Sequence, residues 1–317
     1  MYDAGKISLS RCPTPLHRLS RLSEELGADI WVKRDDLTGF ELSGNKVRKL
    51  EYLLADALAV EADTVLTTGG LQSNHARATA FAARQLGLEP CLLLRGEQPA
   101  APDSNLLLAR LAGAVIRTCS AEDYRERRDA LLESWAQELR SQGRRFYVIP
   151  EGGSNGLGAL GFIHAARELM AQADGPFDRV VVPVGSGGTL AGLAMAGLPG
   201  EICGVAVCDD APYFEAQVRR IAAEGGALGA GPLRAGGWSV LEGYQGPGYA
   251  IAGPEVWETI AWVARAEGLI LDPVYTGKAM HALTSEVRAG RWSGRTLFWH
   301  TGGAFGVFGR GAELPSS

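Results

Sequence analysis

From about residue 28 the chain alternates short runs of β-branched residues with longer stretches in which leucine and alanine recur every three or four positions. A short, wholly apolar run suits a strand buried on both faces, and the longer recurrence suits a helix with one apolar side. The runs predict strands over residues 30–33, 64–68, 91–95, 115–119, 146–149, 180–184, 202–207 and 296–299. The recurrences predict helices over 47–60, 74–86, 121–141 and 157–171. Gly27 and Gly87 each follow a leucine that closes a helical stretch, and read as C-terminal caps. Repeated strand–helix alternation builds parallel sheets, so the predicted class is α/β, with two βα domains and open, mostly parallel sheets.

No repeat, low-complexity tract or polar linker divides the 317 residues, so domain boundaries must be hinges. The best crossing is the glycine-rich stretch 150–156, and the other lies near Lys46. This gives a larger domain of residues 1–50 plus 151–317 and a smaller inserted α/β domain of 51–150. Residues 180–200 carry no charge, but their prolines and glycines break a membrane span into strand, loop and short helix. A net charge of −5 and no basic tract exclude a phosphate-backbone binder, so neither nucleic acid nor membrane is an expected partner. Five cysteines without a CxxC pair, and no histidines at ligand spacing, predict no metal site and a reducing, cytoplasmic setting. The amino terminus shows no apolar core of a signal peptide.

Chemistry concentrates in a few loops. The chain has five lysines, and Lys46, after the Gly44-Asn45 turn and opening a helix, is the best placed as an amine nucleophile, because partial desolvation lowers a lysine towards neutrality. Gly185-Ser186-Gly187-Gly188-Thr189 follows a strand and opens a helix, where converging amides suit a phosphate; it is neither a GxxxxGK[ST] loop nor a GxGxxG fingerprint, and a plain tight turn is the alternative. In Gly69-Gly70-Leu71-Gln72-Ser73-Asn74-His75, Ser73 reads as a helix cap whose neighbouring amides can hold a carboxylate. Tyr249 and Tyr275 stand in Gly/Pro-rich loops from which a phenol can reach a cleft, or pack at a domain edge. His300 reads as an interior hydrogen-bonded histidine. Asp35 and Asp36 read as a turn and a poor acid–base pair, residues 122–128 as a solvated helical face, and Trp257 and Trp262 as core.

Taken together in order, SGNKVRKLEYL, GGLQSNHAR, VGSGGTLAG, DPVYTGKAM and HTGG resemble the pyridoxal phosphate enzymes of fold type II, the tryptophan synthase β-like fold. The resemblance is to the branch containing D-cysteine desulfhydrase and 1-aminocyclopropane-1-carboxylate deaminase, and runs from about residue 13 to 308. It implies pyridoxal 5'-phosphate carried on Lys46, with Gly185, Ser186, Gly187, Gly188 and Thr189 as its phosphate cup. It implies Ser73 as loop nucleophile or base, and Asn74 beside the cofactor's phenolic oxygen and the substrate carboxylate, which His75 and Thr276 help to hold. Tyr249 and Tyr275 match the two active-site tyrosines, and Thr301 sits near the ring.

Deaminases of this branch resemble DPVYEG and HLGG, where this chain has Thr276 and Thr301. A hydroxyl in place of a carboxylate near the pyridine nitrogen leaves a weaker electron sink, which suffices for elimination of thiolate. The implied enzyme is a lyase, a homodimer, that takes a small-molecule amino acid, D-cysteine first, to pyruvate, sulfide and ammonia. Cyclopropane deamination, cysteate sulfo-lyase activity and a catalytically lapsed cofactor-binding protein are the alternatives. Ala250, where glycine is usual, and Phe305 depart from the family pattern.

Overall fold

The computed structural model describes residues 5–314. Its strands are β1 (Leu16–Arg18), β2 (Asp29–Arg34), β3 (Thr64–Gly70), β4 (Glu89–Arg95), β5 (Val115–Cys119), β6 (Phe146–Val148), β7 (Arg179–Val184), β8 (Glu201–Ala206), β9 (Trp238–Leu241) and β10 (Arg295–His300). Its α-helices are α1 (Ser20–Leu26), α2 (Lys46–Ala59), α3 (Asn74–Gln85), α4 (Ser104–Leu111), α5 (Ala121–Ser141), α6 (Gly156–Gln172), α7 (Gly188–Met195), α8 (Ala211–Ala227), α9 (Pro254–Glu267) and α10 (Thr276–Arg288).

Two sheets form. One has six strands in the order β1-β2-β10-β7-β8-β9, parallel except for the antiparallel edge strand β1. The other has four parallel strands in the order β5-β4-β3-β6, all from the middle of the chain. In the six-stranded sheet, β7 and β10 are buried along nearly their whole length because helices cover both faces. One face packs on α6, α7 and α8 through Phe162, Leu190, Phe214 and Trp299. The opposite face packs on α1, α9 and α10 through Leu22, Trp257, Leu283 and Phe298. Helix α2 joins the two units: it packs against α6 and also contributes Val47, Leu50 and Leu54 to a core shared with Val65 and Ala82. Residue 50 therefore lies inside a helix that serves both sheets.

The eight predicted strands and four predicted helices are present, with ends shifted by no more than two residues. Gly27 and Gly87 take the left-handed conformation expected of caps. The sequence reading lacks β1 and β9, which are three and four residues long, and the helices α1, α4, α8, α9 and α10.

The start of α2 is fixed by a buried ionic cluster. Arg48 donates to Asp35 through Nη2 (2.7 Å) and Nε (2.8 Å), and to Glu168 of α6 through Nη1 (2.9 Å). Asp35 also accepts from Thr14 Oγ1 at 2.9 Å and from Trp299 Nε1 of β10 at 2.9 Å, and Lys33 donates to Glu168. Asp35 is thus a structural hub, while Asp36 pairs with Arg34. Burial alone would raise the Glu168 carboxyl, but hydrogen bonds and charge from Arg48, then Lys33, bring it to about 2.

Removing one partner from such a cluster leaves the others desolvated and uncompensated. Glu168→Gln is expected to cost about 3 kcal/mol in chemical denaturation at neutral pH. Because the folded carboxyl is depressed, the wild-type advantage is present above the ordinary value of 4.5 and closes as pH falls towards about 2. An unchanged denaturation midpoint in the variant contradicts this assignment.

Candidate active site

Three loops at the carboxyl ends of parallel strands meet at one cleft, the position at which open α/β sheets bind ligands. They follow β7, β10 and β3, and the first turn of α2 closes the fourth side. Two backbone segments cross so tightly there that side chains are excluded. A Cβ on Gly44, whose φ is +111°, would stand 2.8 Å from the Thr301 carbonyl, and one on Gly302 would stand 2.6 Å from Gly44 Cα. Asn45 ties the crossing together, its amide donating to the Thr301 carbonyl (3.0 Å) and its side chain to Thr189 Oγ1 (3.0 Å). Lys46 is thereby carried into the cleft on a fixed helix start.

Lys46 lines the cavity with Ser73, Asn74 and His75 from the β3 loop, and with Gly185, Ser186, Gly187 and Thr189 from the β7 loop. Tyr249, Tyr275 and Thr301 complete the set of predicted residues on this wall. Gly188 lies one step behind, inside the first turn of α7. Thr276 is not among the lining residues. It is fully buried, its hydroxyl donating to Asp272 Oδ1 at 2.6 Å and accepting from the Asp272 amide at 2.7 Å. Phe305 also stands aside, edge-on to Phe40 and beneath the Arg77 guanidinium.

The electrostatics of the cleft follow from burial. Burial lowers the Lys46 amine to about 8, with the charge of Glu151 opposing. Lys49, one turn further along α2, is pushed down further, by burial and then by Lys46. Its Nζ donates to Ser154 Oγ (3.1 Å), which bonds Ser186 Oγ of the glycine loop (2.8 Å). A Cβ on Gly188 would fall 2.8 Å from that Nζ, so the loop rests against the buried cation. The cap residue of α7 is Gly187, at φ +82°, which offers no side chain to the first-turn amides. Free amides, two hydroxyls and a buried lysine make an anion cradle.

Ser73 caps α3, accepting from the Ala76 amide at 3.2 Å. Asn105 donates to Asn74 Oδ1 (3.0 Å), which commits that oxygen and leaves the Asn74 amide nitrogen as a donor. The Thr67 hydroxyl donates to the Ile149 carbonyl, so His75 Nε2, 2.9 Å from it, carries a proton. His75 Nδ1 is then a buried acceptor with no partner among the described residues. Burial, then Lys46 and Lys49, hold this imidazole neutral, well below its ordinary value. The Tyr249 and Tyr275 hydroxyls meet at 2.9 Å, and burial raises both, Tyr275 far more, so both phenols stay protonated. His300 is interior, donating to the Ile270 carbonyl and accepting from the Gly302 amide.

An amine poised near neutrality, an anion cradle and neutral donors between them suit a phosphorylated aldehyde. The family model described as "Pyridoxal-phosphate dependent enzyme" matches residues 7–302. The chain belongs to this family. It is 46% identical over 98% of its length, and 99% of the relative's, to a protein of Thermotoga maritima named putative 1-aminocyclopropane-1-carboxylate deaminase. It is 42% identical to the Arabidopsis thaliana bifunctional D-cysteine desulfhydrase/1-aminocyclopropane-1-carboxylate deaminase, covering 98% of this chain and 80% of the relative. A crystal structure of an ACC deaminase homologue superposes with TM-score 0.90 at 39% identity, covering 98% of this chain and 95% of that one. The enzyme is thus pyridoxal-phosphate dependent, in the group of deaminase and desulfhydrase relatives, with the fold type II architecture. Among the described residues no helix is long and apolar enough to cross a membrane, and no group of side chains is arranged to hold a metal.

Several cleft residues escape the sequence reading. Glu151 and Gly152, taken as hinge, line the cavity. Tyr124, in the stretch 122–128 read as a solvated face, is instead buried; it does not line the cavity but stacks under the Arg95 guanidinium at 5.2 Å. A lone aromatic among charges was the available signal.

Two outcomes are expected. With an amine at about 8 rather than 10.5, about a tenth of Lys46 is neutral at pH 7. The rate at which apoprotein captures pyridoxal phosphate, followed by absorbance in a stopped flow, rises about fivefold from pH 7 to 8 and levels above 9; a rise continuing to pH 10 contradicts the low value. Ala250 adopts φ +61°, a strained region for a residue with a Cβ. Ala250→Gly is expected to stabilise the protein by about 1 kcal/mol, seen as a modest rise in Tm.

Proposed function

We propose that this protein is a β-eliminating lyase that converts D-cysteine and water to pyruvate, hydrogen sulfide and ammonia, working in the cytoplasm as a homodimer. The observation that carries the reading is the pairing of a near-neutral amine with two protonated phenols, 2.9 Å apart, across one cavity. β-Elimination needs a base at Cα and an acid at the departing group. Lys46 Nζ removes the α-proton, and the Tyr249–Tyr275 pair delivers a proton to the sulfur. The first-turn amides of α3, with the Asn74 side chain, hold the substrate carboxylate at a helix N-terminus. The bound cofactor supplies an electron-withdrawing ring conjugated to the substrate nitrogen, which takes up the electrons released at Cα.

Desulfhydration is favoured over cyclopropane opening by the absence of a glutamate next to Tyr275. Thr276 is turned inwards on Asp272, and Thr301 presents a hydroxyl on the cavity wall. The Asp272 carboxylate is itself engaged by the amides of Val274, Tyr275 and Thr276. The second reading, 1-aminocyclopropane-1-carboxylate deamination, is favoured by the names of the relatives.

The purified protein is expected to show a visible cofactor band that shifts on adding D-cysteine, with pyruvate and sulfide formed in equal amounts. Lys46→Ala is expected to lose at least a thousandfold in kcat. Formation of 2-oxobutyrate from the cyclopropane substrate with no pyruvate from D-cysteine selects the second reading. Full turnover by Lys46→Ala contradicts both.

A further inference from the structure

Beyond the tyrosine pair lies a second cavity, which shares Asn74, Tyr249 and Tyr275 with the cofactor cleft and adds Gly70, Arg95 and Arg310. Arg95 ends β4, so the same strand-end geometry that places the other site residues delivers it to this wall. Its guanidinium carbon lies over the rings of both Tyr124 (5.2 Å) and Tyr249 (4.9 Å). Those contacts fix the cation without consuming its N–H groups, and among the described residues no hydrogen bond or ion pair engages them. The carboxylates nearby are already committed. Glu151 pairs with Arg128 (3.2 Å), Glu313 with Arg310 (3.5 Å), and Asp272 accepts from the start of α10.

Gly70 opens the space between cation and acid. A Cβ there would stand 3.9 Å from Arg95 Nη2 and 3.9 Å from Tyr249 Oη, so both groups face one small volume left by the missing side chain. That volume adjoins the Tyr249 hydroxyl, the group that the elimination reading sets against the departing substituent.

We infer that Arg95 is a specificity-determining residue that binds the β-substituent, selecting amino acids whose substituent already carries negative charge when bound, a thiolate or a sulfonate. The inference rests on the β-elimination reading above and names its substrate class. When the bond from Cβ breaks, both electrons pass to the departing atom, and the α-proton passes to Lys46. The charge already on a bound thiolate or sulfonate is held against a fixed, partly desolvated guanidinium rather than against water, and the tyrosine pair supplies the proton that a departing thiolate needs. The arrangement therefore favours a thiolate or a sulfonate over an uncharged substituent.

The test uses the cofactor-loaded enzyme and three variants: Arg95→Gln, Arg95→Lys and Gly70→Ala. Substrates are D-cysteine, through its thiolate form, and cysteate, as probes charged before the bond breaks, and β-chloro-D-alanine, whose substituent is neutral until it departs, with sulfate as a competing anion. In Arg95→Gln the ratio of kcat/KM for the charged probes over the uncharged one is expected to fall roughly tenfold to hundredfold, and the sulfate inhibition constant to rise by a similar factor. Arg95→Lys recovers part of both. Gly70→Ala makes only ordinary contacts at 3.8–3.9 Å, so it keeps the fold, fills the shared volume and lowers the same ratio; it decides the matter if Arg95→Gln does not fold. An equal fall on all substrates makes Arg95 merely structural, and an unchanged ratio with unchanged sulfate inhibition removes it from substrate recognition; either overturns the inference. An enzyme that shows no cofactor band, or turns over no substrate in the panel, instead fails the reading of function.

Discussion

The site is governed by the cost of keeping Lys46 in a cleft with no carboxylate bonded to it. An ammonium withdrawn from water without a counter-charge tends to lose its proton, which is the property an amine nucleophile requires. Lys49, one turn away and also without an acid partner, strengthens the effect, since two like charges on one helix face oppose each other's protonation. Together they leave a positive cleft that an anion relieves. The glycine loop after β7 is built to hold that anion, and Ser154 and Ser186 connect the loop to Lys49. The amine and the phosphate cradle are therefore two halves of one electrostatic arrangement on α2.

Such a strained arrangement needs a rigid support. Arg48, between the two lysines in sequence, points the other way and is fully bonded to Asp35 and Glu168. The same helical turn thus carries two lysines without an acid partner on one side and an arginine bonded to two carboxylates on the other. Helix geometry makes this possible, because adjacent residues on a helix are about a third of a turn apart. The saturated side anchors α2 to β2, β10 and α6, and the close crossing of Gly44 with Gly302 prevents its first turn from shifting. The acids near the cleft are each engaged: Asp35 in this support, Asp272 by the amides that start α10, and Glu151 by Arg128.

The strands and the glycine loops were legible in the sequence because their signals are local. A buried parallel strand is a continuous apolar run, and a strand followed by glycines and a helix start is a local pattern that suits an anion site, with a plain tight turn as its alternative. Ser73 was readable as a cap for the same reason, and its hydroxyl does accept from the Ala76 amide. The helices α8, α9 and α10 carried periodic cores, such as Val256, Trp257, Ile260 and Val263, but lay among Gly/Pro-rich loops that drew the reading towards the tyrosines. What stayed hidden depends on distant partners. Lys49 meets Ser154 across 105 residues and Asp35 meets Trp299 across 264, separations at which no spacing rule operates. Thr276 shows the opposite limit: its motif was evident, yet the choice of its hydroxyl between cleft and Asp272 is a matter of rotamer and packing.

These separations also explain why the identity of whole chains is a coarse guide to chemistry in this family. Most positions of this chain hold strands in register, fill the helix–sheet interfaces or close the glycine loops, and such roles serve any reaction of the bound cofactor equally. In the reading proposed above, the choice of substrate falls to a few side chains at the rim of the cleft: Thr301 just after β10, Tyr249 and Tyr275 from the loops before α9 and α10, and Arg95 at the end of β4. A change in one of them alters the charge presented to the substrate by a full unit while leaving the core untouched. Since α2 packs against both units, it holds the amine at the junction of the two sheets, between the side chains that each contributes to that rim.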